Sequence, residues 1–187
     1  MKLANVIFIC VLLISTLNAQ SFQDDIALDL SDIQAQIFTP VERSAYEIKK
    51  DHNEFFTTDF VIKHDEKVEI RVEYFDWKKD SLAITNPNIK NGIRLGQLID
   101  NIDDSKISLH RLGTEDLNIF GANWATQATF KPKPAFSDRK HCQLITLYKE
   151  ETGLIFLYLL FDDIEKYKDQ WRYMIGFTDE ELDESIK

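Results

Sequence analysis

Residues Leu154 to Phe161, reading LIFLYLLF, restrict this chain more than any other stretch. On a strand, Leu154, Phe156, Tyr158 and Leu160 point one way, and Ile155, Leu157, Leu159 and Phe161 the other. A strand apolar on both faces needs a covering layer on both. Eight residues are too few to cross a bilayer as a helix. Upstream, Gln143 to Tyr148 forms a second apolar run, separated from the first by Lys149-Glu150-Glu151-Thr152-Gly153. Two such runs around a short polar segment ending in glycine predict a β-hairpin. The fold must place that hairpin mid-sheet.

Candidate covers are written on either side. Ile26, Leu30, Ile33 and Ile37 recur at helical spacing in Asp24 to Phe38, predicting an N-terminal helix ended before Pro40. Ile93 to Ile102 carries Leu95, Leu98, Ile99 and Ile102 on one side and predicts another. Ile164, Tyr167, Trp171, Met174 and Ile175 predict a terminal amphipathic helix, with Asp162-Asp163 as its cap. Between these lie strand patterns. Tyr46 to Trp77 reads as a strand pair turning at His64-Asp65-Glu66-Lys67. In its second arm Val68, Ile70, Val72 and Tyr74 alternate with Glu69, Arg71 and Glu73, predicting one buried and one wet face. Ile107 to Leu112 reads as a strand, and Leu117 to Phe130 as another with a bulge at Gly121-Ala122. Lys131-Pro132-Lys133-Pro134 reads as an exposed connection. The expected fold class is therefore α+β: a single domain with a mostly antiparallel sheet flanked by a few helices.

The ends of the chain divide it further. Lys2, the apolar run Val6 to Leu17 and Leu17-Asn18-Ala19 have the order of a signal peptide, bacterial in style. The expected organisation is a signal peptide over 1–19, a helical segment over 20–45, an α+β domain over 46–177 and an acidic tail over 178–187. Export to the periplasm or the medium follows, with no integral membrane segment after cleavage. Cleavage after Ala19 leaves 168 of the 187 residues, enough for one domain with a sizeable core. It also leaves Cys142 as the lone cysteine, so the core rather than a disulfide must hold the fold. Loss of Lys2 reduces the 22 basic residues to 21 against 32 acidic ones. A surface so acidic repels nucleic acid, which is not an expected partner.

Motifs that would name a reaction are missing. No glycine-rich phosphate loop, H-E-x-x-H, C-x-x-C or G-x-S-x-G occurs, and His52, His64, His110 and His141 are scattered. His141 and Cys142 are neighbours, but adjacent strand residues face opposite ways. Asn86-Pro87-Asn88 and Asn91-Gly92 read as a loop without the carboxylates that calcium needs. Hence no catalytic residue, metal site or cofactor is expected.

One family resemblance rests on three segments. Ile119-Phe120-Gly121-Ala122 opens a long strand, Gly153-Leu154-Ile155-Phe156-Leu157-Tyr158 closes the hairpin, and Met174-Ile175-Gly176-Phe177 ends the last amphipathic segment. Over about Tyr46 to Phe177 this order resembles the PsbP-like family of photosystem accessory proteins and their bacterial relatives. The usual Pro-x-Gly-Trp opening of that family is missing. The resemblance implies an α-β-α sandwich and a non-catalytic role in binding or assembly.

The leading expectation is an exported binding module for a protein or small molecule. Its expected surface is Phe120, Asn123, Trp124 and the Pro132–Phe136 connection, where aromatic rings adjoin a loop. Two alternatives stand beside it. One is a hydrolase with Asp162 and Asp163 converging on His110 or His141; the other is an immunity-type inhibitor acting through its acidic face.

Overall fold

The computed structural model describes residues 22–38, 46–64, 68–76, 78–79, 86–99, 107–163 and 172–178. The expected signal peptide, the acidic tail beyond Thr178 and residues 164–171 of the expected terminal helix lie outside these. Helix α1 spans residues 22–32 and α2 Pro87–Leu98; α3 spans Thr114–Phe120. The strands are β1 Ala35–Ile37, β2 Tyr46–Lys50, β3 Phe60–His64, β4 Val68–Asp76 and β5 Ser108–Arg111. They continue as β6 Trp124–Phe130, β7 His141–Lys149, β8 Gly153–Phe161 and β9 Ile175–Phe177. All pairings are antiparallel: a seven-stranded sheet in the order β2-β3-β4-β8-β7-β6-β5, and a small β1-β9 ribbon. The chain is thus an α+β domain. Among the described residues no helix is long and apolar enough to cross a membrane.

The two-faced octet decides this arrangement. Strand β8 is the fourth of the seven, and every residue from Gly153 to Phe161 is buried. On one side Ile155, Leu157 and Leu159 join Ile26 and Leu30 of α1 and Ile33 just past its end, with Phe120 from α3 and Ile175 and Phe177 from β9. On the other, Leu154, Phe156, Tyr158 and Leu160 meet Leu95, Leu98 and Ile99 at the end of α2. Each side chain of this kind stabilises the fold by about 1.5–3 kcal/mol when fully buried. The octet therefore contributes more than any other strand.

Glycine acts at two tight places. Gly121 takes φ +60° as the C-cap of α3, and a Cβ there would lie 2.3 Å from the Phe177 carbonyl oxygen. Gly153 is not the turn's left-handed residue; Glu151 holds φ 56° instead. A Cβ on Gly153 would meet the Phe75 carbonyl oxygen at 2.8 Å and Ile33 at 3.3 Å. Its small size lets β4 and α1 close over the start of β8.

Several boundaries differ from the sequence reading. The N-terminal helix stops at residue 32 because Gln34 turns to φ 50°, sending Ile37 into β1 rather than along the helical stripe. Likewise Ile175 joins β9, pairing with Ile37. The Tyr46–Trp77 region holds three strands, not two, and residues 51–58 form a loop. Asn86 to Gly92 is not a loop. Pro87 opens α2, where its missing N–H costs nothing, and Asn91 turns inward. Leu117 to Phe120, expected to open a strand, instead belong to helix α3, with Glu115 and Asp116 at its positive end.

Candidate functional site

Alternation on β4 puts Glu69, Arg71 and Glu73 on the α2 side of the sheet. The sequence pattern assigned them a wet face, and the structure corrects this. Side-chain exposure is 14% at Glu69, 11% at Arg71 and 8% at Glu73. Phe136, Phe56 and α2 lie over them, cover that the local pattern of β4 does not encode. Buried charges need partners: Glu73 finds them on α2 and β8, Glu69 on β3, and Arg71 on Glu69 of its own strand.

At the middle of β4, Glu73 is bound from two sides. Its Oε1 pairs with Arg94 Nη2 from α2, and its Oε2 accepts from the Tyr158 hydroxyl at 2.9 Å. Arg94 Nη1 donates to Gln97 at 3.1 Å, and its guanidinium lies 4.9 Å from the Phe56 ring centre. Burial raises the Glu73 carboxyl above its usual range, opposed by Arg94 and the Tyr158 hydrogen bond. Nearby, Asn91 donates to Thr126 at 2.9 Å and accepts from Thr146 at 2.7 Å. Together these polar groups lock α2 onto the sheet.

Toward the start of β4 the cover runs out. Helix α2 packs over β6 to β8, while Val61, Lys63, Glu69 and Arg71 floor a groove. Its main chamber encloses about 460 Å³ and is walled by Asn53, residues 134–139 and Asp162. Two smaller hollows of about 310 and 250 Å³ share Glu69 with it and extend it across β3 toward β2.

Local hydrogen bonding explains the walls. Asp51, buried just past β2, accepts from the Asn53 amide at 2.9 Å, the Thr58 amide at 3.0 Å and the Thr58 hydroxyl. Asn53 Oδ1 then accepts from the amides of Phe55 and Phe56, and its Nδ2 donates to the carbonyls of Ala135 and Phe136, both at 3.1 Å. One asparagine thereby staples the two loops together. Between them Phe56 and Phe136 meet edge to face, with ring centres 5.3 Å apart.

Arg71 is the central cation of the groove. Its guanidinium carbon sits 4.5 Å from the Phe136 ring centre, and its Nε donates to Glu69 Oε1 at 2.7 Å. Glu69 Oε2 also lies 3.2 Å from Lys63 Nζ. Arg71 Nη1 is buried with no hydrogen-bond partner. At the rim Arg139 Nη1 donates to Asp162 Oδ2 at 2.7 Å, and the Lys140 amide to Oδ1 at 3.0 Å. These two bonds hold the Asp162 carboxyl below its usual range.

The residues singled out from sequence do not gather. Phe120 is fully buried on the α1 side, its ring centre 5.0 Å from that of Tyr173. Phe136 is buried on the opposite side of the sheet. Neither ring is part of an exposed aromatic surface, because each fills a core that its neighbours in sequence do not reveal. Asn123 is exposed and accepts from the Glu150 amide at 2.8 Å, bracing the β7–β8 turn. Trp124 is half-buried at the start of β6. The Lys131–Pro134 connection is anchored rather than free: Pro132 is buried and bridges to Ile99, and the Lys133 amide donates to the Leu98 carbonyl at 2.9 Å.

The expected acid/base groups make other contacts. His141 is exposed and stacks on Phe161 at 5.6 Å, and His110 is exposed on β5. Asp162 is held by Arg139 rather than by a histidine. Cys142 points to the opposite face from His141, fully buried, and desolvation pushes its thiol far up in pKa. Among the described residues no group of three or more histidine, cysteine or carboxylate side chains is placed to hold a metal ion. Sequence reasoning missed Asn53, Glu69, Arg71 and Arg139. The one signal available was Glu69-x-Arg71-x-Glu73 beside an all-apolar strand, which sets compensating charges two residues apart. No protein-family model matches the chain, and no curated protein or solved structure is significantly similar to it.

Proposed function

We propose that the chain is an exported, non-catalytic binding module whose ligand occupies the groove over β3 and β4. The carrying observation is the half-covered sheet face: α2 closes over β6 to β8, and two stapled loops leave a walled, polar concavity beside it. A preformed pocket with a few oriented polar groups is the usual form of a ligand site. The role implied by the PsbP-like resemblance points the same way, and the residue 1–19 pattern supports export.

The test is an amide NMR titration of the full chain with a panel of small acids, amines, amides and short peptides. Saturable shifts confined to residues 51–53, 69–71 and 134–139 are expected from at least one class. Shifts centred on Asn123 and Trp124 instead would move the site to β6 and overturn this placement.

A further inference from the structure

Taking the groove as the binding site, we infer that its ligand presents a carboxylate, received by the guanidinium of Arg71. An arginine carries five N–H donors in a fixed planar fork. The protein satisfies one of Arg71's, the Nε–H that meets Glu69, although the side chain is only 11% exposed. A guanidinium so far removed from water with its buried Nη1 unmet among the described residues is costly unless another group completes it. Arg94 on the same face differs at its Nη atoms, one bonded to Glu73 and one to Gln97, although its Nε is likewise buried without a partner.

Orientation is already provided. Phe136 supports the flat face of Arg71, and Glu69 holds its Nε edge, so the fork keeps little freedom to lose when an anion arrives. A carboxylate entering the groove meets the exposed edge of the guanidinium with a charge-assisted hydrogen bond, while Nη1 itself lies below the groove surface.

Charge chooses among anions. Across the groove and its two extensions, five cationic side chains line the surface against four carboxylates. Arg139 is paired with Asp162, and Glu69 is shared between Arg71 and Lys63. Lys49 is paired with Glu47 just outside the lining, so the groove is close to neutral and suits a singly charged ligand better than a polyanion. The chain as a whole carries −10 and repels polyanions on approach. Val61 beside the cations offers apolar contact to the body of such an acid.

The experiment uses the full chain and three probes: benzoate, its neutral isostere benzamide, and inorganic phosphate. Benzoate should give saturable shifts at residues 134–139 and at the Arg71 Nε–H signal, binding at least about tenfold more tightly than benzamide. R71M should abolish that response while its spectrum elsewhere stays dispersed. Should R71M fail to fold, R71K serves, keeping the charge but not the fork; a loss of about fivefold or more is expected. Equal binding of benzamide, tighter binding of phosphate in the same groove, or undiminished benzoate binding by R71K would overturn the carboxylate assignment and leave the groove as a site. No response in the groove to any of the three, or to the wider panel, would overturn the groove itself.

Discussion

Two arginine–glutamate–phenylalanine clusters share one face of β4, and they end differently. In the inner one Arg94 lies over Phe56, spans Glu73 and Gln97, and is roofed by its own helix. In the outer one Arg71 lies over Phe136 and touches Glu69, but its Nη1 finds no acceptor among the described residues. Residue types and stacking distances are alike. Cover does not separate them, since Arg71 at 11% exposure is the more buried arginine against 22% for Arg94; the bonds made by their Nη atoms do. A buried pair with its partners supplied reads as part of the scaffold; one left incomplete in the wall of a groove reads as a receptor.

Substitutions can break that contrast, and the largest effect belongs to the inner cluster. Glu73→Ala strands Arg94 and the Tyr158 hydroxyl together and should cost about 3 kcal/mol in urea unfolding. Arg94→Met leaves Glu73 with only Tyr158 and should cost about 2 kcal/mol near neutral pH, since Arg94 keeps some solvent contact. That cost should shrink in acid as Glu73 takes up a proton. A smaller effect separates wild type from Glu73→Gln across pH. The Glu73 carboxyl is raised above its ordinary value of 4.5, so its protonation favours the folded state. The stabilisation is complete below 4.5 and lost as pH rises through the raised value. Wild-type Tm relative to Glu73→Gln should therefore be highest at the acid end and fall toward pH 7. By contrast, Arg71→Met in the outer cluster should cost under about 1 kcal/mol, because it removes unmet donors and leaves Glu69 its contact with Lys63. An Arg71→Met cost equal to that of Arg94→Met would erase the distinction between scaffold and receptor.

The smallest effect has the opposite sign with pH. Asp162 is held below its ordinary 3.8 by Arg139, so its contribution is present above 3.8 and lost as pH falls through the lowered value. The pair is solvent-exposed, and Asp162→Asn should cost only a few tenths of a kcal/mol at pH 7. Thermal scans of the variant at pH 7 and pH 3 should converge at the lower pH.

Legibility in the sequence followed the range of the interactions. The β7–β8 hairpin and the stripe Ile26, Leu30, Ile33 were readable because alternation and helical spacing act between near neighbours. Helix α2 was misread at its start because Asn88, Asn91 and Gly92 favour loops locally. The inward bonds of Asn91 to Thr126 and Thr146 outweigh that preference. For the same reason Glu69, Arg71 and Glu73 looked solvated, since the loops that bury them lie far along the chain.

Sequence alone determined that an octet apolar on both faces must sit mid-sheet between two layers, because no other placement removes both rows of side chains from water. Tertiary structure alone decided which half of the sheet would be roofed and which left as a groove. That choice rests on Asn53 meeting Ala135 and Phe136, and on α2 stopping over β6 to β8. Contacts between residues more than eighty positions apart, Asn53 with Ala135 and Phe136 and Glu73 with Tyr158, build this face, and no local pattern of residues encodes them.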